Sequence, residues 1–373
     1  MIEIKEAVTK KDLKAFVHFP NVLYKGNPYY VPQIESMEVD TLSPSRNHAF
    51  EVCEGKCWLA YNEQGTVVGR VAGIVNHRYN EKTGEKTCRF GWIDFIDDKE
   101  VSKALIGTVE RYAQERGMDT VSGPRGFLGF DSTGVLVEGY DKLPTAYGKY
   151  NAPYYEQHLL DLGYVKDVDY VEYLIKVPEV IPERYARMAE LVSIKNSLHQ
   201  AVFHNRTELE PYLDSVFRCL NSAYAKLHGF SELSPGQRDD LKRQFLSNIN
   251  VDYVSIVLDA EERVVGFGVA LPSLSKAMQK AQGSLFPIGW MHLLKALRKN
   301  DTIDLLLIAI DEKYQNKGLN AMIFDKFAQG ITKNGIKYIE STRELEDNTS
   351  VQNLWRYLDH DLTKRARTYV KRI

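Results

Sequence analysis

Asp304–Phe327 reads DLLLIAIDEKYQNKGLNAMIFDKF, and this stretch decides the fold. An apolar run, Asp304–Ile310, has the length and β-branched content of a buried strand. A short polar loop with Gln315, Asn316, Lys317 and Gly318 follows. Leu319, Met322, Ile323 and Phe327 then recur at helical spacing, so a helix begins at Gly318. The first N–H groups of a helix have no partner within it, and they favour an anion. Gly318 lacks a Cβ and lets backbone approach that anion, while Lys317 adds positive charge. The expected ligand is a phosphate or pyrophosphate.

Working outward, the same order of elements occurs twice. Lys56–Tyr61 and Thr66–Val75 alternate like paired strands, and so do Asp252–Leu258 and Arg263–Leu271. Both second strands contain Val-Val-Gly. A strand and an amphipathic helix follow in each half: Phe90–Ile96 with Val101–Arg116, then Thr302–Ile310 with Gly318–Lys333. Gly117 and Gly335 stand where left-handed C-caps belong. Further strands are expected at Thr120–Ser122 and Ile336–Glu340. Further helices are expected at Tyr154–Leu162 and Ser350–Leu358, with a β-rich tail closing each half. The pattern is a mixed α/β domain made twice. The chain of 373 residues is long enough for two domains of roughly 150 residues. Pro178–Pro182 marks the expected boundary, giving units 1–178 and 179–373.

Composition narrows the class. Hydrophobic residues are 44% of the chain, which excludes disorder. No apolar run reaches about 18 residues, and Met1–Phe16 has no signal-like core, so a cytoplasmic protein is expected. The net charge of -2 gives no pull toward nucleic acid. Cys53, Cys57, Cys88 and Cys219 are scattered without a paired Cys/His set, so no metal is expected.

Gln315-Asn316-Lys317-Gly318-Leu319-Asn320 resembles the acyl-CoA loop of GCN5-related N-acetyltransferases, which usually reads Gln/Arg-x-x-Gly-x-Gly/Ala. Asn320 replaces the last small residue. Asn348, Val351, Leu354 and Trp355 are similar to that family's later helix, with Trp355 where a tyrosine often protonates the leaving thiolate. An indole cannot serve as that acid near neutral pH. Over nearly the whole length the chain also resembles an uncharacterised bacterial family of two-domain acyltransferase-like proteins. The stretches include Asn27–Pro32 (NPYYVP), Gly123–Tyr140 (GPRGFLGFDSTGVLVEGY) and Lys364–Tyr369 (KRARTY). In the second of these, Leu128, Phe130 and Ser132 stand where relatives commonly carry polar or acidic residues. The resemblance implies an α/β fold with a mixed sheet, two tandem acyl-CoA N-acyltransferase units, and acetyl-CoA or a longer acyl-CoA as cosubstrate. It implies an amine acceptor, small or lipid-like.

Carried onto this sequence, the resemblance puts the cofactor loop at Gln315, Asn316, Lys317, Gly318, Leu319 and Asn320. It puts an oxyanion donor on the backbone near Ile308, Ala309 and Ile310, where a bulge would free an N–H. Glu340 ends the next strand and is the general-base candidate. Asn348 caps the next helix or orients pantetheine, and Tyr357 is the substitute proton donor. The first half should not bind CoA in this way, because Asp97, Asp98 and Glu100 replace the loop and would repel a pyrophosphate. Its aromatic stretch Tyr147–Tyr155 suits a pocket floor or internal packing. Ser284–Leu294 (SLFPIGWMHLL), flanked by Lys280, Lys295, Arg298 and Lys299, suits a helix buried on the sheet, an acyl-chain channel or a transient membrane contact. Two other functions fit the same pattern: a catalytically silent ligand-binding protein of this fold, and an aminoacyl-tRNA-dependent aminoacyltransferase. The low basic charge weighs against the latter.

Overall fold

A computed structural model describes residues 1–129, 131–246, 249–352, 355 and 358–373. Phe130, Leu354 and Tyr357, singled out above, lie outside these residues. The strands are β1 (Glu3–Glu6), β2 (Cys53–Tyr61), β3 (Val67–Asn76), β4 (Thr87–Phe95), β5 (Thr120–Gly123), β6 (Val135–Glu138) and β7 (Val165–Lys176). The second half adds β8 (His199–Gln200), β9 (Val254–Leu258), β10 (Val264–Pro272), β11 (Thr302–Ile310), β12 (Tyr338–Ser341), β13 (Glu344–Leu345) and β14 (His360–Arg372). They form one sheet in the order β1-β2-β3-β4-β5-β14-β7-β12-β11-β10-β9-β8, with β6 paired to β14 and β13 to β7 off this path.

That order contains an exchange. β7 precedes the Pro178 region but pairs with β12 of the second half, and β14 ends the chain but pairs with β5 of the first. The two meet each other along the middle of the sheet, from His360↔Ile175 to Val370↔Val165. Each exchanged strand also buries its apolar face in the other half. Tyr369 of β14 lies in the core with Phe90 and Val121, and Ile175 of β7 lies in the core with Ile303 and Ile339. The β-rich tails read from the sequence are therefore traded rather than kept.

The repeat itself is present. In each half an antiparallel meander leads to a parallel pair, β4 with β5 and β11 with β12, joined through a long helix. Helix Lys99–Glu115 buries Val101, Leu105, Val109 and Tyr112. Helix Leu319–Asn334 buries Leu319, Met322, Ile323 and Phe327. Gly335 caps the second helix in the left-handed region, at φ 66. The helix expected over Ser350–Leu358 is described only as Thr349–Gln352. The four cysteines are free and buried, and burial pushes each thiol up to about 12.

Candidate active site

Parallel pairing of β11 with β12 runs from Thr302↔Tyr338 to Leu305↔Ser341 and then stops. The strands part there for two local reasons. On one side, Val269 opposes Leu307 while Ala270 opposes Leu305, so Leu306 is an extra residue that bends β11 away. On the other, Thr342 turns in and closes the last rung. Its N–H donates to the Leu305 carbonyl at 3.2 Å, and its hydroxyl donates to the same oxygen at 3.0 Å. The irregularity thus lies at Leu306, earlier than the Ile308–Ile310 stretch expected to hold it. Ile308, Ala309 and Ile310 are in regular register with Gly268, Phe267 and Gly266.

A cavity of about 320 Å³ opens at this parting. One side of its lining is apolar: Val216, Phe217 and Leu220 come from helix Leu213–Tyr224, and Phe267 and Leu307 from the sheet. The other side is polar. Thr342, Glu344 and Asn348 face it from the second half, and Asp131, Ser132, Thr145 and Tyr147 face it from loops of the first. The first half therefore supplies one wall of a cavity whose other wall belongs to the second.

Glu344 is not among the residues singled out from the sequence. It is the carboxyl group of the cavity lining with the most perturbed surroundings. Burial pushes its carboxyl up to about 8. Its Oε2 is sealed from solvent and has no hydrogen-bond partner among the described residues, and Oε1 has only the Ser341 hydroxyl at 3.4 Å. An acid left this poorly satisfied holds its proton until something offers it a partner.

Glu340 sits differently. Its Oε1 lies 2.8 Å from Lys364 Nζ, and the same ammonium lies 3.2 Å from Glu172. Arg343 Nε donates to Glu172 at 3.0 Å. Asp304 of β11 stands opposite Glu340, so a buried polar row crosses β11, β12, β7 and β14 where the halves join. Burial raises Asp304 to about 8, and the neighbouring Glu340 adds to the rise. Burial works against charge on Lys364, yet Glu172 and Glu340 hold its ammonium above the ordinary range. Glu340 is a member of this ion-paired row rather than a group facing the cavity.

The polar loop after β11 folds as the sequence predicts. Asn316 and Gly318 take left-handed conformations, φ 59 and φ 86, and the helix starts at Leu319. Gln315 donates its side-chain N–H to the Ile310 carbonyl at 3.2 Å, and Lys317 lies over the Tyr314 ring. A Cβ on Gly318 would come within 2.9 Å of Val192. Leu319 points into the core, so only its backbone could meet a ligand. Asn348 accepts from Val351 N–H through its carbonyl and belongs to the cavity's polar lining. Trp355 is buried against Tyr173 and forms part of the cavity wall.

In the first half the equivalent parting is filled. β4 carries its own irregularity between Gly91 and Asp94, and its parallel pairing with β5 ends at Arg89↔Ser122. The chain from Gly123 to Gly129 then enters the gap. Arg125 N–H donates to the Phe90 carbonyl at 2.8 Å, and a Cβ on Gly91 would sit 2.4 Å from the Arg125 carbonyl. Glycine is required at that approach. Asp98 caps helix Lys99–Glu115, accepting from Glu100 N–H at 2.8 Å. Of the aromatic stretch, Tyr147 reaches the cavity wall, whereas Tyr154 and Tyr155 pack on Phe95. Ser284–Leu294 does not reach the cavity. Its helix begins at Gly289 and faces outward.

No family model matches the chain. It is 26% identical over 377 residues to Protein YghO of Escherichia coli (strain K12), covering 99% of this chain and 95% of that one. It is 24% identical over 321 residues to the Bacterial ceramide synthase of Caulobacter vibrioides (strain NA1000 / CB15N), covering 84% and 82%. Among solved structures, a tandem GNAT protein from the clavulanic acid biosynthesis pathway superposes with a TM-score of 0.56 at 12% identity, over 100% of this chain and 98% of that one. A fungal GCN5-related glucosamine N-acetyltransferase region gives 0.58 at 12% identity, over 100% of this chain and 38% of that one. These likenesses agree with the parting strands, the left-handed glycine and the helix that starts behind it: the chain has a tandem fold of the GCN5-related N-acetyltransferase kind.

Proposed function

We propose that the chain transfers an acyl group from acyl-CoA to an amine, that the reaction occurs in the second half, and that the acyl chain is long. The observation that carries this reading is the largely apolar cavity opening at the parting of β11 and β12, with Glu344 in its lining. An acetyl group would leave most of the apolar lining, Phe217 and Leu220 included, without a partner. The similarity to a protein called Bacterial ceramide synthase supports a lipid-like amine as acceptor.

Acyl-CoA supplies the activated thioester, and the residues present fit it. Gly318 and the first N–H groups of helix Leu319–Asn334 hold the pyrophosphate, and Lys317 and Asn316 flank it. We assign the oxyanion contact to backbone N–H at the Leu306 bulge rather than at Ile308–Ile310. Glu344 takes the proton from the acceptor nitrogen as the C–N bond forms, and the C–S bond then breaks to release the thiolate. Asn348 orients the chain entering the cavity. Glu340 acts through Lys364 as a positioning residue for β12. Asp131, Ser132 and Thr145 place the acceptor, so units 1–178 and 179–373 divide the work as acceptor wall and acyl-CoA site.

Incubation with palmitoyl-CoA and a long-chain amine tests this. Equal amounts of free thiol and amide are expected. Thiol release without amide would show hydrolysis and remove the amine from the account.

A further inference from the structure

Helix Gly289–Arg298 and the turn before it expose a compact apolar surface. Phe286 is 79% exposed, Ile288 57%, Met291 53% and Trp290 44%. Trp290, Leu294 and Arg298 follow one another at helical spacing, with Met291 and Lys295 beside them, so the apolar surface grades into a basic end. Between Pro272 and Asn300 the sequence has five cations, Lys276, Lys280, Lys295, Arg298 and Lys299, and no Asp or Glu. None of the five forms a salt bridge with a described residue. The chain as a whole carries -2, so this concentration of positive charge is local.

We propose that this surface docks on an anionic phospholipid bilayer, with helix Gly289–Arg298 lying in the interface. Charge complementarity selects this occupant: aromatic and aliphatic side chains enter the headgroup boundary while lysine and arginine meet the lipid phosphates. The surface also adjoins the cavity. Ile249 is part of the cavity's apolar lining, and it lines a second depression together with Leu294 and Arg298 of the docking helix. Docking therefore places the apolar side of the cavity beside the bilayer, where long-chain lipids partition. The docking claim stands independently of acyl transfer, whereas its use for substrate delivery rests on that reading.

The full chain is tested by co-sedimentation with vesicles of phosphatidylcholine alone and of phosphatidylcholine mixed with phosphatidylglycerol. Binding is expected to the mixed vesicles only, and it should weaken in high salt. Trp290 is the exposed one of the four tryptophans, since Trp58, Trp92 and Trp355 are buried. Its emission should shift to the blue and be quenched by brominated lipid. Lys295→Gln with Lys299→Gln should lower the partition coefficient about fivefold for each cation. Phe286→Ser with Met291→Ser should remove the blue shift. Both pairs should melt like the parent and keep its rate with a short-chain acyl-CoA and a water-soluble amine. Equal binding to the two vesicle types, or an unquenched Trp290, would overturn the proposal. So would a dimer in sedimentation velocity that Phe286→Ser dissolves, because the surface would then belong to a second copy.

Discussion

Replacing Glu344 by Gln keeps the side-chain size and removes the ionisation. Burial holds the folded carboxyl near 8 against an ordinary 4.5. Between those values the unfolded chain releases a proton that the folded chain keeps. Stability of the parent therefore falls as pH rises from 4.5 to about 8, by at most about 1.4 kcal/mol per pH unit. Over the whole interval the ceiling is about 5 kcal/mol, with water in the cavity reducing it. Glu344→Gln lacks this loss, so it should match the parent near pH 5 and exceed it near pH 8. Activity should move the other way. The parent rate should climb toward a plateau above pH 8 as the carboxylate forms, and the variant should lose about 10²- to 10⁴-fold in kcat. Urea melts and thiol-release rates across this range measure both quantities. A variant with the parent's kcat and pH profile would refute Glu344 as the base. A variant with no pH-dependent gain in stability would refute its burial.

Gly318→Asp adds a carboxylate at a position with φ 86, facing the expected pyrophosphate and crowding Val192. A like charge about 4 Å away costs about 4 kcal/mol before screening, so CoA affinity should fall at least about tenfold in calorimetry. Asp98→Asn, which leaves a capping side chain on the first-half helix, should leave that affinity unchanged. Lys364→Met would leave the carboxylate of Glu340 without its ion-pair partner and Glu172 with Arg343 alone, and urea denaturation should show a loss of about 3–5 kcal/mol. Adding Glu340→Gln should return part of it.

The legible features were local ones. The Asp304–Phe327 stretch declared its strand, loop and helix because apolar spacing and a left-handed glycine act within a few residues. The exchange of β7 and β14 was not legible, since strand partners about 200 residues apart leave no local signal. Glu340 looked like a strand-end carboxylate because Lys364, its partner, arrives from the end of the chain. Nothing in the run Glu344–Asp347 marks Glu344 for burial, because the strand it pairs with, β7, lies far earlier in the chain. The cavity walls on helix Leu213–Tyr224 carry the same leucines, valines and phenylalanines that any core helix carries. For Ser284–Leu294 the apolar composition left a buried helix and an exposed surface both open, and the fold exposes Phe286, Ile288, Trp290 and Met291.

Calorimetric titration of acetyl-, octanoyl- and palmitoyl-CoA into the parent and into Leu220→Trp tests the central claim most directly. Leu220 is buried on the cavity wall, and a larger side chain there fills part of the apolar side. The account predicts that parent affinity rises with chain length, by up to about 0.8 kcal/mol per buried methylene. It predicts that Leu220→Trp binds acetyl-CoA like the parent and loses the gain beyond octanoyl. Affinity that stays flat across the three ligands, or a palmitoyl-CoA preference untouched by Leu220→Trp, would contradict it.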